Sequence, residues 1–170
     1  GTSILVSDFW ERFRGVLSQD EIEEARKLLF QISVTKDGRI ALENGASGCH
    51  DATEGGVLGA IYEVCESSGL GAEVDAALIP VLPVTAKVSK FTGIDPLRLT
   101  SSGCLVVSAQ CGRALCEVYR KCGLHAQVVG KMTLGNRILK RDGRLSPLEP
   151  PKSDELWLAR QRLLGMLNEP

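Results

Sequence analysis

The stretch Gly48-Cys-His-Asp-Ala-Thr-Glu-Gly-Gly56 joins two different kinds of sequence. Before it, residues 46 to 50 (Ala-Ser-Gly-Cys-His) read as a short buried strand. After it, a helix is expected from about Thr53 to Ser67, with Val57, Leu58, Ile61, Val64 and Cys65 on one face. Ser68-Gly69 is its stop, and Gly71 to Asp75 reads as the next strand. Strand, glycine pair, helix and strand is the unit of an α/β or α+β architecture: a mixed sheet with packed helices.

The same stretch holds the first candidate site. Helix first-turn amides lack partners within the helix, and the dipole adds partial positive charge there. Two glycines let a ligand approach that backbone closely. Thr53, Glu54, Gly55 and Gly56 are therefore candidate phosphate or substrate contacts. His50 and Asp51, at the end of the strand, are candidate catalytic residues, a titratable pair beside an anion cradle. The residues also admit a structural role. Asp51-x-x-Glu54 approximates a capping box, and Gly55-Gly56 permits close helix packing.

A second candidate is Leu99-Thr-Ser-Ser-Gly103, where Ser101, Ser102 and Gly103 offer hydroxyls and an open backbone. Its structural alternative is a polar turn into a strand. That strand, residues 104 to 109 (Cys-Leu-Val-Val-Ser-Ala), is apolar enough to be buried on both faces.

Further out, the pattern continues to alternate. Phe9, Trp10, Phe13, Val16 and Leu17 fall at helical spacing. Ser18-Gln-Asp-Glu21 forms a capping box ahead of a second amphipathic stretch, Ile22 to about Phe30. Residues 33 to 45 admit either a hairpin turn at Lys36-Asp37-Gly38-Arg39 or a helix ending at Asn44-Gly45. Pro80 and Pro83 bracket a turn into a short helix near 84 to 91. Arg113 to Cys122 reads as a helix and His125 to Lys131 as a strand. Arg141-Asp-Gly143 is a hairpin signal between Ile138–Lys140 and Arg144–Ser146. Pro150-Pro151 is a break before a last helix with acidic residues at its start.

Composition narrows the function classes. The chain has 170 residues, 44% of them hydrophobic and 24% charged, a globular profile large enough to fold without staples. Twenty Lys and Arg against 21 Asp and Glu leave a net charge of −1, so no global field draws in nucleic acid or a membrane surface. Lys131, Arg137, Lys140, Arg141 and Arg144 gather around the hairpin as a solvated face. No run of apolar residues reaches membrane-spanning length, and no signal peptide is visible, so a cytoplasmic location is expected. The six cysteines show no C-x-x-C pair, so buried or half-buried free thiols are expected and no metal site.

At these residues the chain resembles the C-terminal domain of the aminoimidazole ribonucleotide synthetase superfamily. The features are His50-Asp-x-Thr-x-Gly-Gly56, the helix closing in Glu66-Ser-Ser-Gly-Leu-Gly71, Gly93-Ile-Asp-Pro-Leu97, Thr100-Ser-Ser-Gly-Cys-Leu-Val106 with its apolar strand, and Gly130-Lys131. The resemblance covers about residues 2 to 146 and is nearest the hydrogenase-maturation branch, whose enzyme dehydrates a protein-bound thiocarboxamide at the expense of ATP. It implies a domain forming one wall of a cleft. It places Asp51, Thr53, Gly55 and Gly56 at the phosphate-facing end, with Ser101, Ser102 and Gly103 on the neighbouring loop. ATP and Mg2+ would be held mainly by an N-terminal ATP-binding domain, which is the implied partner and the usual dimer interface.

The resemblance also divides the chain into a connector or tag remnant at 1–6, the domain at 7–150 and a C-terminal helix at 151–170. Nothing here resembles the N-terminal domain, so the chain reads as an isolated C-terminal half, inactive alone and with no cofactor of its own. The branch's Pro-Arg-x-Cys tail is replaced by Leu167-Asn-Glu-Pro170. The alternatives to an enzyme half are a non-catalytic module of the same fold that binds an anion or a partner, and a homodimer formed through the face the missing domain would cover.

Overall fold

A computed structural model describes residues 1–165. Met166 to Pro170, including the departing tail and the end of the expected last helix, lie outside the described residues.

The chain opens with helix α1 (Thr2–Asp8), a 3₁₀ turn at Trp10–Phe13 and helix α2 (Gln19–Lys27). The expected single helix through Phe9 to Leu17 is thus broken. Its apolar residues are still buried, because Phe9, Phe13 and Leu17 reach the same core from turn and loop. The capping box on α2 is formed as expected: the Glu21 amide donates to Ser18 Oγ at 3.2 Å, and the Ser18 amide donates to Glu21 Oε2 at 3.0 Å. Residues 2–6, expected as a connector, form most of α1 and bury Leu5 and Val6 completely.

The open choice at residues 33–45 resolves as helix α3 (Thr35–Glu43). Ile40 and Ala41 decide it by packing on Leu115 and Tyr119 of helix α6 (Gly112–Lys121), a contact a hairpin would not make. Strand β1 (Ala46–Asp51) and strand β3 (Leu105–Ala109) pair antiparallel as a separate two-stranded ribbon. Both were expected to be buried. Instead β1 is largely exposed and every residue of β3 is half-buried. A two-stranded ribbon has no flanking strands, so its edges stay open.

The other sheet has the order β4-β2-β5-β6. Here β2 is Gly71–Asp75, β4 is Gly130–Thr133, β5 is Arg137–Arg141 and β6 is Arg144–Pro147. Strand β2 runs parallel to β5 and antiparallel to β4, so the sheet is mixed. The strand expected at His125 begins only at Gly130, because β2 offers partners only from Val74↔Gly130 to Gly71↔Thr133. The hairpin at Arg141–Arg144 forms as expected, with Asp142 and Gly143 both at positive φ (51° and 76°), the pair a type I′ turn requires.

Helix α4 (Gly56–Ser68) packs on this sheet through Leu58, Ile61 and Cys65. Helices α5 (Pro83–Thr92) and α7 (Glu155–Gly165) complete the other core: Val84, Val88, Leu156, Ala159 and Leu163 join Leu5, Val6 and Phe13. Truncating a side chain as buried as Leu163 to alanine costs about 2–5 kcal/mol. The last helix is therefore part of the core that α1 and α2 share.

Candidate functional site

A groove of about 340 Å³ opens where α1, the start of α5 and the loop from Pro96 to Cys104 meet. Its polar side carries Thr2, Thr85, Thr100, Ser101 and Ser102, and the Thr2 and Thr85 hydroxyls lie 2.8 Å apart. Its rim is apolar and exposed at Ile4, Leu29, Ile32 and Leu82. No charged side chain lines it among the described residues. Cys104 also lines it, but burial pushes that thiol's pKa up and the Asp37 carboxylate adds to the effect, so the nucleophilic thiolate is disfavoured.

The hydroxyl loop is held from below. The Ser101 amide donates to the Ala52 carbonyl at 3.0 Å, and the Ala52 amide donates to the Cys104 carbonyl at 2.9 Å. The Ser101 hydroxyl donates to the Leu99 carbonyl at 2.7 Å, while Ser102 is exposed. The loops at residues 52–56 and 99–104 are thus neighbours, as the resemblance implied.

Their exposure differs. Thr53 and Glu54 face solvent, but Gly55 and Gly56 are buried. A Cβ on Gly55 would lie 2.7 Å from Pro151 Cβ, and one on Gly56 would lie 2.6 Å from the Leu97 carbonyl oxygen. The Gly55 amide donates to Asp154 Oδ2 at 2.7 Å. Asp154 is 2% exposed, and its other oxygen accepts from Thr100 (3.1 Å) and Leu156 (2.8 Å). Three amides make this buried carboxylate tolerable.

His50 and Asp51 lie apart from the groove. His50 Nε2 is 2.7 Å from Glu63 Oε2 on α4, and its Nδ1 is 4.0 Å from Asp51 Oδ1. Of the nine residues selected from sequence, Ser101, Ser102 and Gly103 line the groove, while His50, Asp51, Thr53, Glu54, Gly55 and Gly56 do not.

Residues 10–139 match the family model described as AIR synthase related protein, C-terminal domain. The chain belongs to this family. Among its relatives is the carbamoyl dehydratase HypE of Rhodobacter capsulatus, 32% identical over 96 residues, a span of 54% of this chain and 28% of that protein. The crystal structure of Escherichia coli HypE superposes with a TM-score of 0.63 at 22% identity, covering 79% of this chain and 47% of that one. A HypE structure in complex with ATP gives 0.56 at 21% identity, covering 69% and 38%. At such identities the structures show the fold alone. The chain spans less than half the length of these proteins.

Elsewhere in this AIR synthase-related domain, among the described residues, four of the five hairpin cations, all but Arg144, are matched by carboxylates. Lys131 meets Glu73 at 2.9 Å, Arg137 meets Glu66 at 2.5 Å, Lys140 meets Asp75 at 2.9 Å and Arg141 meets Asp95 at 2.7 Å. The six cysteines are free, but Cys49, Cys111 and Cys122 are exposed rather than buried or half-buried, since they sit on the open ribbon and at the ends of α6. Among the described residues no cluster of three metal-ligating side chains occurs, and no helix is long and apolar enough to cross a membrane. Asp154 escaped the sequence reading. Its signal, Ser153-Asp-Glu, showed only a helix start, and the second and third amides it binds are distant in sequence.

Proposed function

We propose that this chain is the substrate- and phosphate-facing domain of an ATP-dependent enzyme of the carbamoyl dehydratase kind, working in the cytoplasm. The observation that carries it is the hydroxyl loop Thr100–Gly103 lining a groove in a domain of this family. Hydroxyls preset on a supported loop suit a polar substrate or one face of a transferring phosphate. They do not suit ATP with Mg2+ on their own, because the groove lacks carboxylates for the metal and cations for the triphosphate. ATP and Mg2+ belong on a partner domain, and the apolar rim at Ile4, Leu29, Ile32 and Leu82 supports the idea that such a domain, or a second copy, covers this face. The charge-free groove equally favours a second reading, a non-catalytic module that binds a partner through that rim.

A chimera separates the two. This chain replaces the C-terminal half of the Rhodobacter capsulatus relative, and ATP turnover is measured. Turnover at least about tenfold above that of the relative's N-terminal half alone is expected. A folded chimera no better than that half supports the module instead. Mg2+-dependent hydrolysis by the 170-residue chain alone would overturn both.

A further inference from the structure

We propose that Asp154 is the positioning residue of this site, a built-in anion that fills the head of α4 and fixes the Thr100–Gly103 loop against it. The inference rests on that loop facing substrate, but its geometry stands by itself. A carboxylate 2% exposed is costly unless its lone pairs are filled. Asp154 fills them with amides from three separate segments: Gly55 at the start of α4, Thr100 on the hydroxyl loop and Leu156 in the first turn of α7. Pro151 closes over the same place, 2.7 Å from where a Cβ of Gly55 would stand.

The consequence is specific. The amide at Gly55, which a helix start would offer to an incoming anion, is already bonded at 2.7 Å to a negative charge. A phosphate approaching this wall meets a carboxylate there. It is directed instead to the donors that remain open, among them the exposed hydroxyls of Thr53 and Ser102. The loop carrying Ser102 owes its place to Thr100, and Thr100 is tied to Asp154.

Amide hydrogen exchange by NMR on the whole chain tests this, comparing wild type with Asp154→Ala and Asp154→Asn, with the urea midpoint of each measured alongside. In Asp154→Ala, Gly55 and Thr100 are expected to exchange roughly a hundredfold faster, as loss of two charge-assisted hydrogen bonds implies. The fully buried Val88 amide should change only as much as the shift in midpoint accounts for. Asp154→Asn keeps one acceptor oxygen and should restore part of the protection, which a purely volumetric role would restore in full. If the alanine variant does not fold, the asparagine variant against wild type decides. Inorganic phosphate at about 20 mM should leave the wild-type Gly55 amide resonance in place, because its donor is already taken by Asp154. Exchange at Gly55 and Thr100 that rises only in step with Val88 would overturn the proposal. So would a phosphate-dependent shift of the wild-type Gly55 amide. No ATP enters the measurement, so its failure would leave the domain reading untouched, and failure of the chimera would leave Asp154 untouched.

Discussion

Two short loops in this domain carry nearly the same sequence logic, and the fold treats them oppositely. Residues 53–56 and 99–103 both place hydroxyls beside glycine at a strand or helix boundary. The first ends in buried glycines capped by Pro151 and by a carboxylate. The second presents its hydroxyls to a groove, although its own Gly103 also backs directly onto the Gln31 carbonyl. The difference is set by what arrives from elsewhere in the chain. Glycine at a helix start permits close approach, and here the approaching group is the protein's own backbone and its last connecting segment.

The comparison breaks most readily at Gly56. Its φ of +64° disfavours any side chain, and a Cβ would stand within 2.6–2.8 Å of the Leu97, Arg98 and Leu99 backbone, which cannot swing away. Gly56→Ala is expected to destabilise the domain by about 3 kcal/mol or more. Gly45 provides the control, with a φ of +78° and open space around it. Gly45→Ala should cost only about 1 kcal/mol, the conformational part alone. Chemical denaturation of both variants checks the pair. Equal losses would mean that the head of α4 is not tightly packed and that its closure is overstated.

How far these contrasts were legible in the sequence depends on their range. The capping box at Ser18, the glycine stop at Gly69 and the hairpin at Asp142-Gly143 are local, and each appears where the residues put it. Residues 33–45 were ambiguous because the deciding contacts, Ile40 and Ala41 on Leu115 and Tyr119, are made across the chain. The apolar run 104–109 suggested a strand buried on both faces, yet its burial depends on how many strands flank it, and among the described residues only β1 does. The hydroxyl loop was singled out because its residue types suit a polar ligand, and it does line a groove. Asp154 was not, because a carboxylate serving three segments looks, in sequence, like an ordinary helix cap.

Cys104 sharpens the contrast from the open side. It follows the hydroxyl loop and lines the groove, yet burial, with the Asp37 charge added, pushes its thiol pKa above the ordinary value. Fewer thiolates exist at neutral pH, so a thiol reagent should modify Cys104 roughly tenfold or more slowly than exposed Cys111 near pH 7.5. The Cys104 rate should climb with pH, as a raised thiol pKa requires. Peptide mapping after timed alkylation reads both. A Cys104 as fast as Cys111 would mean the loop opens far more often than its hydrogen bonds to Ala52 suggest.

The smallest effect on stability is expected at Ser102, and it is informative because it is small. Ser102 is exposed on the groove loop, whereas the adjacent Ser101 spends its hydroxyl on the Leu99 carbonyl. Ser102→Ala should therefore change stability by less than about 0.5 kcal/mol, the range of surface substitutions that break no buried contact. Ser101→Ala should cost about 1 kcal/mol, since it leaves a half-buried carbonyl short of its donor. In the chimera the ranking should invert. Ser102→Ala should lower turnover with the thermal midpoint unmoved, because a hydroxyl free of structural duty is the one available to a substrate. If turnover survives Ser102→Ala and falls only with the destabilising Ser101→Ala, the open loop is scaffolding like the closed one, and the contrast between them is one of burial alone.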